Sequence, residues 1–417
     1  MRWIGEIPEE WDVKQLRRDT PILRGASPRP IYDLKYFDEH GEYGWVRISD
    51  VTASDIFLET TEQKLSVLGS NLSVKLSPKD LFLSIAGSVG KPCITTIPCC
   101  IHDGFVYFPR LSMNKKFLFY IFKIGLCFQG LGKLGTQLNL NTETVGSIGV
   151  PFPTPNEQKQ IALFLDKKTK IIDNEITKNQ NLIKLLQEKR QSEINHAVTK
   201  GLDDTVPMKD SKILGLTQIP KTWKEINLGL ISTLYVPMRD KPKKFDGDIP
   251  WLKIDDITGK YASDSLSKQY VTQDMVNRMN LKVYPIGTVL CSCSATIGFC
   301  AITTKKLITN QTFIGIHPNK ELNNEFLFYF LKTQIPNLRL LGVGATILYI
   351  SREKFEKLKI IIPKKTEQKQ IVSYLDKKTA KIDSLISKIQ LQISNLQEFR
   401  ESLISSAVTG KIQVAQA

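Results

Sequence analysis

The segment EQKQIALFLDKKTKIID, beginning at Glu157, returns as EQKQIVSYLDKKTAKID beginning at Glu367, and no other feature constrains the fold as much. Aligned without a gap, 157–199 and 367–409 agree at 25 of 43 positions. Weaker echoes keep the same order. IPEEW (from Ile7) answers IPKTW (from Ile219), WVRISDVT (from Trp45) answers WLKIDDIT (from Trp251), SIAGSVGKPCI (from Ser84) answers SCSATIGFCAI (from Ser292), and FLFYIFK (from Phe117) answers FLFYFLK (from Phe326). The chain is therefore two halves of about 205 residues, each a variable block followed by a nearly constant one. Two copies are too few for a solenoid, so a pseudo-twofold molecule is expected.

The constant blocks read as helices. Thr154 as N-cap, Pro155 at the first helical position and Glu157 at the third form a capping box, followed by Ile161, Phe164 and Leu165 at helical spacing. Asp166 and Asp376 are expected to cap a second, longer helix of about 50 Å, ended by Gly201 and Gly410. A stripe of Ile172, Ile176, Ile183 and Leu186, interrupted by Asn179 and Arg190, is expected to pair with Ile382, Leu385, Ile389, Leu396, Phe399 and Leu403 as an antiparallel coiled-coil seam. The variable blocks alternate β-rich runs with Gly and Pro turns and then an apolar helix, which suggests α+β globules around twisted antiparallel sheets. The expected fold class is α+β, with two pseudo-twofold-related domains joined by two long antiparallel helices. The expected boundaries are 1–155 and 202–363 for the variable domains, with 156–201 and 364–417 helical.

Composition narrows the partner. Lys and Arg number 57 against 42 Asp and Glu, a formal charge of +15 with a pI near 9.3, which suits an anionic partner. No apolar run is long enough to span a membrane, and MRWIGEIPEEW carries acids and a proline where a signal peptide would be apolar, so a cytoplasmic location is expected. Cys93, Cys99, Cys100, Cys127, Cys291, Cys293 and Cys300 lack zinc-ribbon spacing and read as buried thiols. A metal held by Cys93, Cys99, Cys100 and His102 would have only Cys300 to match it in the second half.

The order of variable block, EQKQI…LDKKT…KID…AVT helix, variable block and the same helix again, with its paired IP..W entries, resembles the DNA-specificity (S) subunit of type I restriction-modification systems over essentially the whole chain. RGASPRPIYD (from Arg24) is also similar to a recurring form of recognition domain. The resemblance implies two target recognition domains, each reading one half of a bipartite, asymmetric site in double-stranded DNA. It also implies that the helices act as spacer and as docking site for two methyltransferase (M) subunits, with restriction (R) subunits as further partners. On this reading adenine N6 methylation with S-adenosylmethionine, and cleavage with ATP and Mg, belong to partner subunits, and this chain holds no cofactor or metal.

The residues agree that chemistry lies elsewhere. There is no G-x-x-x-x-G-K-[ST] loop, H-E-x-x-H, G-x-S-x-G or N/D-P-P-F/Y motif, and no glycine-rich strand turn. GLGKLG (from Gly130) and LGVGAT (from Leu341) read as loop closures. Candidate DNA contacts are Arg24, Ser27, Arg29 and Lys35 on the Pro-broken loop of the first block, and Arg239, Lys241, Lys243 and Lys244 at the corresponding place in the second. Arg47 and Lys253 occupy equivalent positions, each followed by an acid, Asp50 or Asp256, that would hold the basic side chain or accept from a cytosine amino group. Trp45 and Trp251 read as core. A nuclease or methyltransferase with built-in recognition domains is the alternative, but neither half shows a repeated carboxylate-plus-lysine site. A coiled-coil scaffold binding only proteins would leave the basic loops without a purpose. The chain alone is expected neither to methylate nor to cut DNA, and methyl transfer by the isolated, contaminant-free polypeptide would overturn that expectation.

Overall fold

The computed structural model describes residues 3–131, 140–237, 240–294, 296–343 and 348–414. The chain divides into two compact units, 1–180 with 390–417, and 181–389. Each unit takes one globular block and one end of each of two long helices, Pro155–Lys200 and Lys365–Val408.

The helices start and stop as the sequence dictates. Thr154 donates its N–H to Glu157 Oε2 at 2.8 Å, and its hydroxyl donates to the same carboxylate at 2.7 Å. Gly201 and Gly410 turn the chain out at φ +87° and +72°, a region that disfavours side chains. The expected break at Asp166 and Asp376 is absent. Each helix runs through without interruption for 46 or 44 residues, about 69 and 66 Å at 1.5 Å per residue. Those aspartates have another task, because each anchors the globular block.

Pairing of the helices is antiparallel in each unit. In the first, Ile161 and Leu165 share a core with Ile404, Ala407 and Val408, while Asp173 pairs with Arg400 at 2.9 Å. In the second, Ile194, Ala197 and Val198 share a core with Ile371, Val372 and Leu375, while Arg190 pairs with Asp383 at 2.9 Å. Arg190 and Arg400 are equivalent residues of the repeat, as are Asp173 and Asp383, so one ion pair has been duplicated with the sequence.

Ile172 and Ile382 are buried, and Ile176, Ile183, Leu186, Ile389, Leu396 and Leu403 are half-buried along the seam. Leu385 and Phe399 are corrections to the expected stripe. They are 40% and 57% exposed, and Ile386 and Ile393 face inward instead. The spacing 382, 386, 389, 393, 396 keeps the register of 172, 176, 179, 183, 186 in the first copy, so the alignment of the copies already carried the right phase.

The globular blocks repeat one plan. In the first, a five-stranded sheet runs in the order Leu23–Arg24, Phe105–Tyr107, Leu81–Ser84, Pro92–Thr95, Phe57–Leu58, beside a four-stranded one of Gln63–Leu65, Tyr43–Val46, Cys99–Ile101, Val74–Leu76. In the second, Ser232–Tyr235, Phe313–Pro318, Val289–Ser292, Cys300–Thr303 and Tyr261–Ala262 match the first sheet, and Tyr270–Val271, Ile249–Leu252 and Ile308–Thr309 match the other. The sheets are mixed rather than antiparallel throughout, since Tyr43–Val46 runs parallel to Cys99–Ile101 and Ile249–Leu252 parallel to Ile308–Thr309. Trp45 and Trp251, 3% and 2% exposed, lie in those strands as core residues. The seven cysteines are buried and unbridged.

The apolar helices Lys115–Lys123 and Asn324–Thr333 join block to long helix. Gln158, 2% exposed, accepts from Asn114 N–H at 2.7 Å and donates to the Pro153 carbonyl at 2.8 Å; Gln368, fully buried, does the same with Asn323 and Pro363. Gln368→Ala strands these backbone groups and should destabilise the second unit by about 1–3 kcal/mol. Asn179 is the opposite case, a seam residue whose buried amide nitrogen has no hydrogen-bond partner among the described residues. Asn179→Ile, the residue that the second copy has at Ile389, should therefore raise the thermal unfolding midpoint, and a lowered midpoint would show that the amide is satisfied.

Candidate nucleic-acid interface

The basic loop of the first unit is held by the edge of the five-stranded sheet. Arg24 lies opposite Val106 in the edge strand, and the chain then runs onto the turn His102–Gly104, with Gly25 N–H on the Phe105 carbonyl at 2.9 Å and Ala26 N–H on the Ile101 carbonyl at 3.1 Å. A Cβ on Gly25 would sit 2.2 Å from the His102 carbonyl oxygen, so only glycine lets the loop lie this close.

Three of the expected residues converge on one that the sequence reading missed. The Arg24 guanidinium donates to the Asp103 carbonyl, the Ser27 hydroxyl donates to the Asp103 carboxylate at 3.1 Å, and Arg29 lies 3.4 Å from its other oxygen. Lys35 is drawn aside into an ion pair with Asp33 at 2.7 Å, which raises the Lys35 pKa and lowers that of Asp33 through their hydrogen bond. Ser27, Arg29, Tyr32, Trp45, Arg47 and Asp103 are among the residues lining a cavity of about 730 Å³.

His102 stiffens the turn. Its ring lies 4.6 Å from that of Phe105 and 5.8 Å from that of Trp45, and its Nδ1 accepts the Gly104 N–H at 2.8 Å, which leaves the ring proton on Nε2. Burial lowers its pKa further, against the pull of Asp103, so the ring is neutral at pH 7. The signal for Asp103 was present in the repeat. IHDGF and TNQTF align there, with Phe105 and Phe313 matched and the polar residues between them different.

In the second unit Lys243 and Lys244 are exposed, and Lys241 lies 5.7 Å over the ring of Phe245. Arg239 falls outside the described residues, as do most of GLGKLG and half of LGVGAT. Arg47 and Lys253 leave the central strands at equivalent points, just beyond the parallel pairs Val46 with Ile101 and Leu252 with Thr309. Their following acids do not hold the basic side chains. Asp50 accepts from the Arg47 backbone N–H at 2.8 Å, and the Arg47 side chain turns to Glu62 at 3.9 Å. Asp256, 6% exposed, accepts from Lys253 N–H at 2.7 Å, Ser267 N–H at 2.7 Å and the Ser267 hydroxyl at 3.2 Å. Both carboxylates cap local turns; Asp256 is buried among its donors, whereas Asp50 stays half-exposed.

What the two blocks hold is a pair of loop tips on matched sheets, and among the described residues no group of His, Cys, Asp and Glu is placed to hold a metal ion. The family model for the type I restriction modification DNA specificity domain matches residues 8–185 and 220–395, and the chain belongs to that family. Its part is sequence specificity, and it is non-catalytic. It is 26% identical over 430 residues to the provisionally named MjaX specificity subunit of a type I restriction enzyme from Methanocaldococcus jannaschii, covering 99% of this chain and 96% of that one. Two solved structures share the fold at 16% identity. One concerns complex assembly and conformational transition of the type I R-M system (TM-score 0.76, 98% of this chain and 100% of that one), and the other is the HsdS subunit from Thermoanaerobacter tengcongensis (TM-score 0.56, 98% of each).

The contact at Gly25 gives a local test. Gly25→Ala should lift the Arg24–Arg29 loop from the His102 turn and weaken DNA binding through the first unit, while the unfolding of the second unit, followed by hydrogen exchange, stays unchanged.

Proposed function

We propose that the chain reads a bipartite, asymmetric site in double-stranded DNA, one half through each globular block, and carries methyltransferase subunits on its long helices. The observation that supports this most is the repetition of one scaffold, down to the Arg–Asp pairs and the buried glutamines, under loop tips that differ in sequence. Blocks 1–155 and 202–363 are the recognition domains, and 156–201 and 364–417 the spacer and docking helices. Two methyltransferase subunits bind, with S-adenosylmethionine; restriction subunits, with ATP and Mg, join the same complex, and the assembly works in the cytoplasm. Arg24, Ser27, Arg29, Lys35 and Arg47 serve one half-site, and Arg239, Lys241, Lys243, Lys244 and Lys253 the other.

Exposed, flexible lysines contact phosphate and supply the salt-dependent part of affinity. Removing Lys243 or Lys244 should weaken binding to all sequences alike and reduce the salt slope by about one each. Exchanging residues 1–153 for those of a relative should change one half of the methylated motif, read by sequencing methylated adenines, and leave the other intact; a change in both halves would overturn the modular reading. Lys167, Lys168, Lys377 and Lys378 are exposed on equivalent turns of the helices, and reversing their charge should weaken methyltransferase assembly more than DNA contact.

A further inference from the structure

Asp103 is an anomaly in a basic loop. A carboxylate facing a polyanion is repelled by phosphate, and it is favourable only where it meets hydrogen-bond donors. The major groove offers one kind, the exocyclic amino groups at adenine N6 and cytosine N4.

The side chain is placed for such a contact. It is 43% exposed on the wall of the 730 Å³ cavity, where it can be reached from outside the fold. Ser27 and Arg29 each take one carboxylate oxygen, so lone pairs remain on both. Its backbone is fixed by the Arg24 guanidinium on its carbonyl, by Gly25 against the preceding residue and by the His102–Gly104 turn. A rigid acceptor flanked by arginines is a pre-organised reading head.

The second unit has the same turn at the same point. Thr309 ends the parallel strand, Asn310 N–H bonds back to the Leu252 carbonyl at 3.1 Å, and Asn310 Oδ1 is occupied by the Thr312 hydroxyl at 2.5 Å. Gln311 occupies the place of Asp103. The residue is exposed, and among the described residues its one hydrogen bond is the Cys293 thiol donating to its backbone carbonyl at 3.7 Å. A carboxamide both donates and accepts, the pattern that matches adenine N6 and N7.

We propose that the residue two places beyond the central parallel strand is the base-reading position of each unit: Asp103 accepts from the amino group of an adenine or cytosine in one half-site, and Gln311 pairs with an adenine in the other. This rests on the specificity reading above.

The test uses the complex assembled with its methyltransferase subunits, after the wild-type motif has been mapped from its methylated adenines. Binding is measured on duplexes in which single adenines are replaced by purine, lacking the N6 amino group, or single cytosines by 2-pyrimidinone, lacking the N4 amino group. At one position of one half-site the loss should weaken wild-type binding roughly 5- to 150-fold. Asp103→Ala should bind the intact duplex as weakly as wild type binds the altered one, and should be indifferent to the alteration there alone. Gln311→Ala should behave likewise at one adenine of the other half-site. Should Asp103→Ala fail to assemble, Asp103→Asn, which keeps the shape, should still lose discrimination between amino and keto bases at that position. Variants that respond to every amino deletion as wild type does would overturn the proposal and leave the specificity reading intact. A wild-type complex without any sequence motif would overturn that reading itself.

Discussion

A half-buried carboxylate on each long helix determines how the globular block must sit on it. Asp166 receives the Tyr120 hydroxyl at 2.9 Å and the Lys116 ammonium, and Asp376 receives the Tyr329 hydroxyl at 2.5 Å and the Lys260 ammonium at 2.6 Å. Turning either helix about its axis would strand a partly buried charge, and an uncompensated one is strongly destabilising. The tyrosines serve as donors because they stay protonated. Burial, with the Asp376 hydrogen bond, pushes Tyr329 up to about 12, and burial likewise raises Tyr120. Half-burial works against the charge on Lys260, yet hydrogen bonds to Asp376 and Glu325 hold its pKa above the usual lysine value.

The two anchors are alike in chemistry and unlike in origin. Lys116 lies on the short apolar helix of its block, whereas Lys260 enters from the chain just before the edge strand Tyr261–Ala262. The carboxylate and the tyrosine are repeated by sequence, and the cation is supplied by whichever segment passes nearby. A block can therefore change almost everywhere outside its contact with the helix and still seat correctly. That freedom suits a protein whose loop tips must differ while their support does not.

The sequence made the architecture legible because both of its strong signals are local or repeated. Helix limits followed from Thr154, Glu157, Gly201 and Gly410, and the duplicated plan followed from alignment. The phase error at Leu385 arose from reading the second helix alone, where Leu385 and Phe399 satisfy a three-four spacing as well as Ile386 and Ile393 do. The break expected at Asp166 came from taking a cap-forming residue at face value, when its partners Tyr120 and Lys116 lie about 50 residues away. The same blindness to long-range contacts hid the site. Arg24, Ser27 and Arg29 were visible as a basic loop, but their shared target Asp103 is more than 70 residues further on. Asp50 and Asp256, three residues beyond their arginine or lysine, were expected to hold the basic side chain, but they accept from its backbone N–H instead.

Charge and specificity separate along the same line. A formal charge of +15 draws the protein toward any duplex and discriminates among none, since phosphates are alike. In the first unit the charges are further subdued, with Lys35 tied to Asp33 and Arg47 turned toward Glu62. What the fold holds rigid at the tip is an acceptor, kept in place by a glycine that admits no side chain and by a histidine whose Nδ1 is committed to a backbone N–H. Hydrogen-bond direction is the property by which one base pair differs from another in the groove. A scaffold that duplicates its supports and varies the residue at this one turn changes what is read without disturbing how it is held.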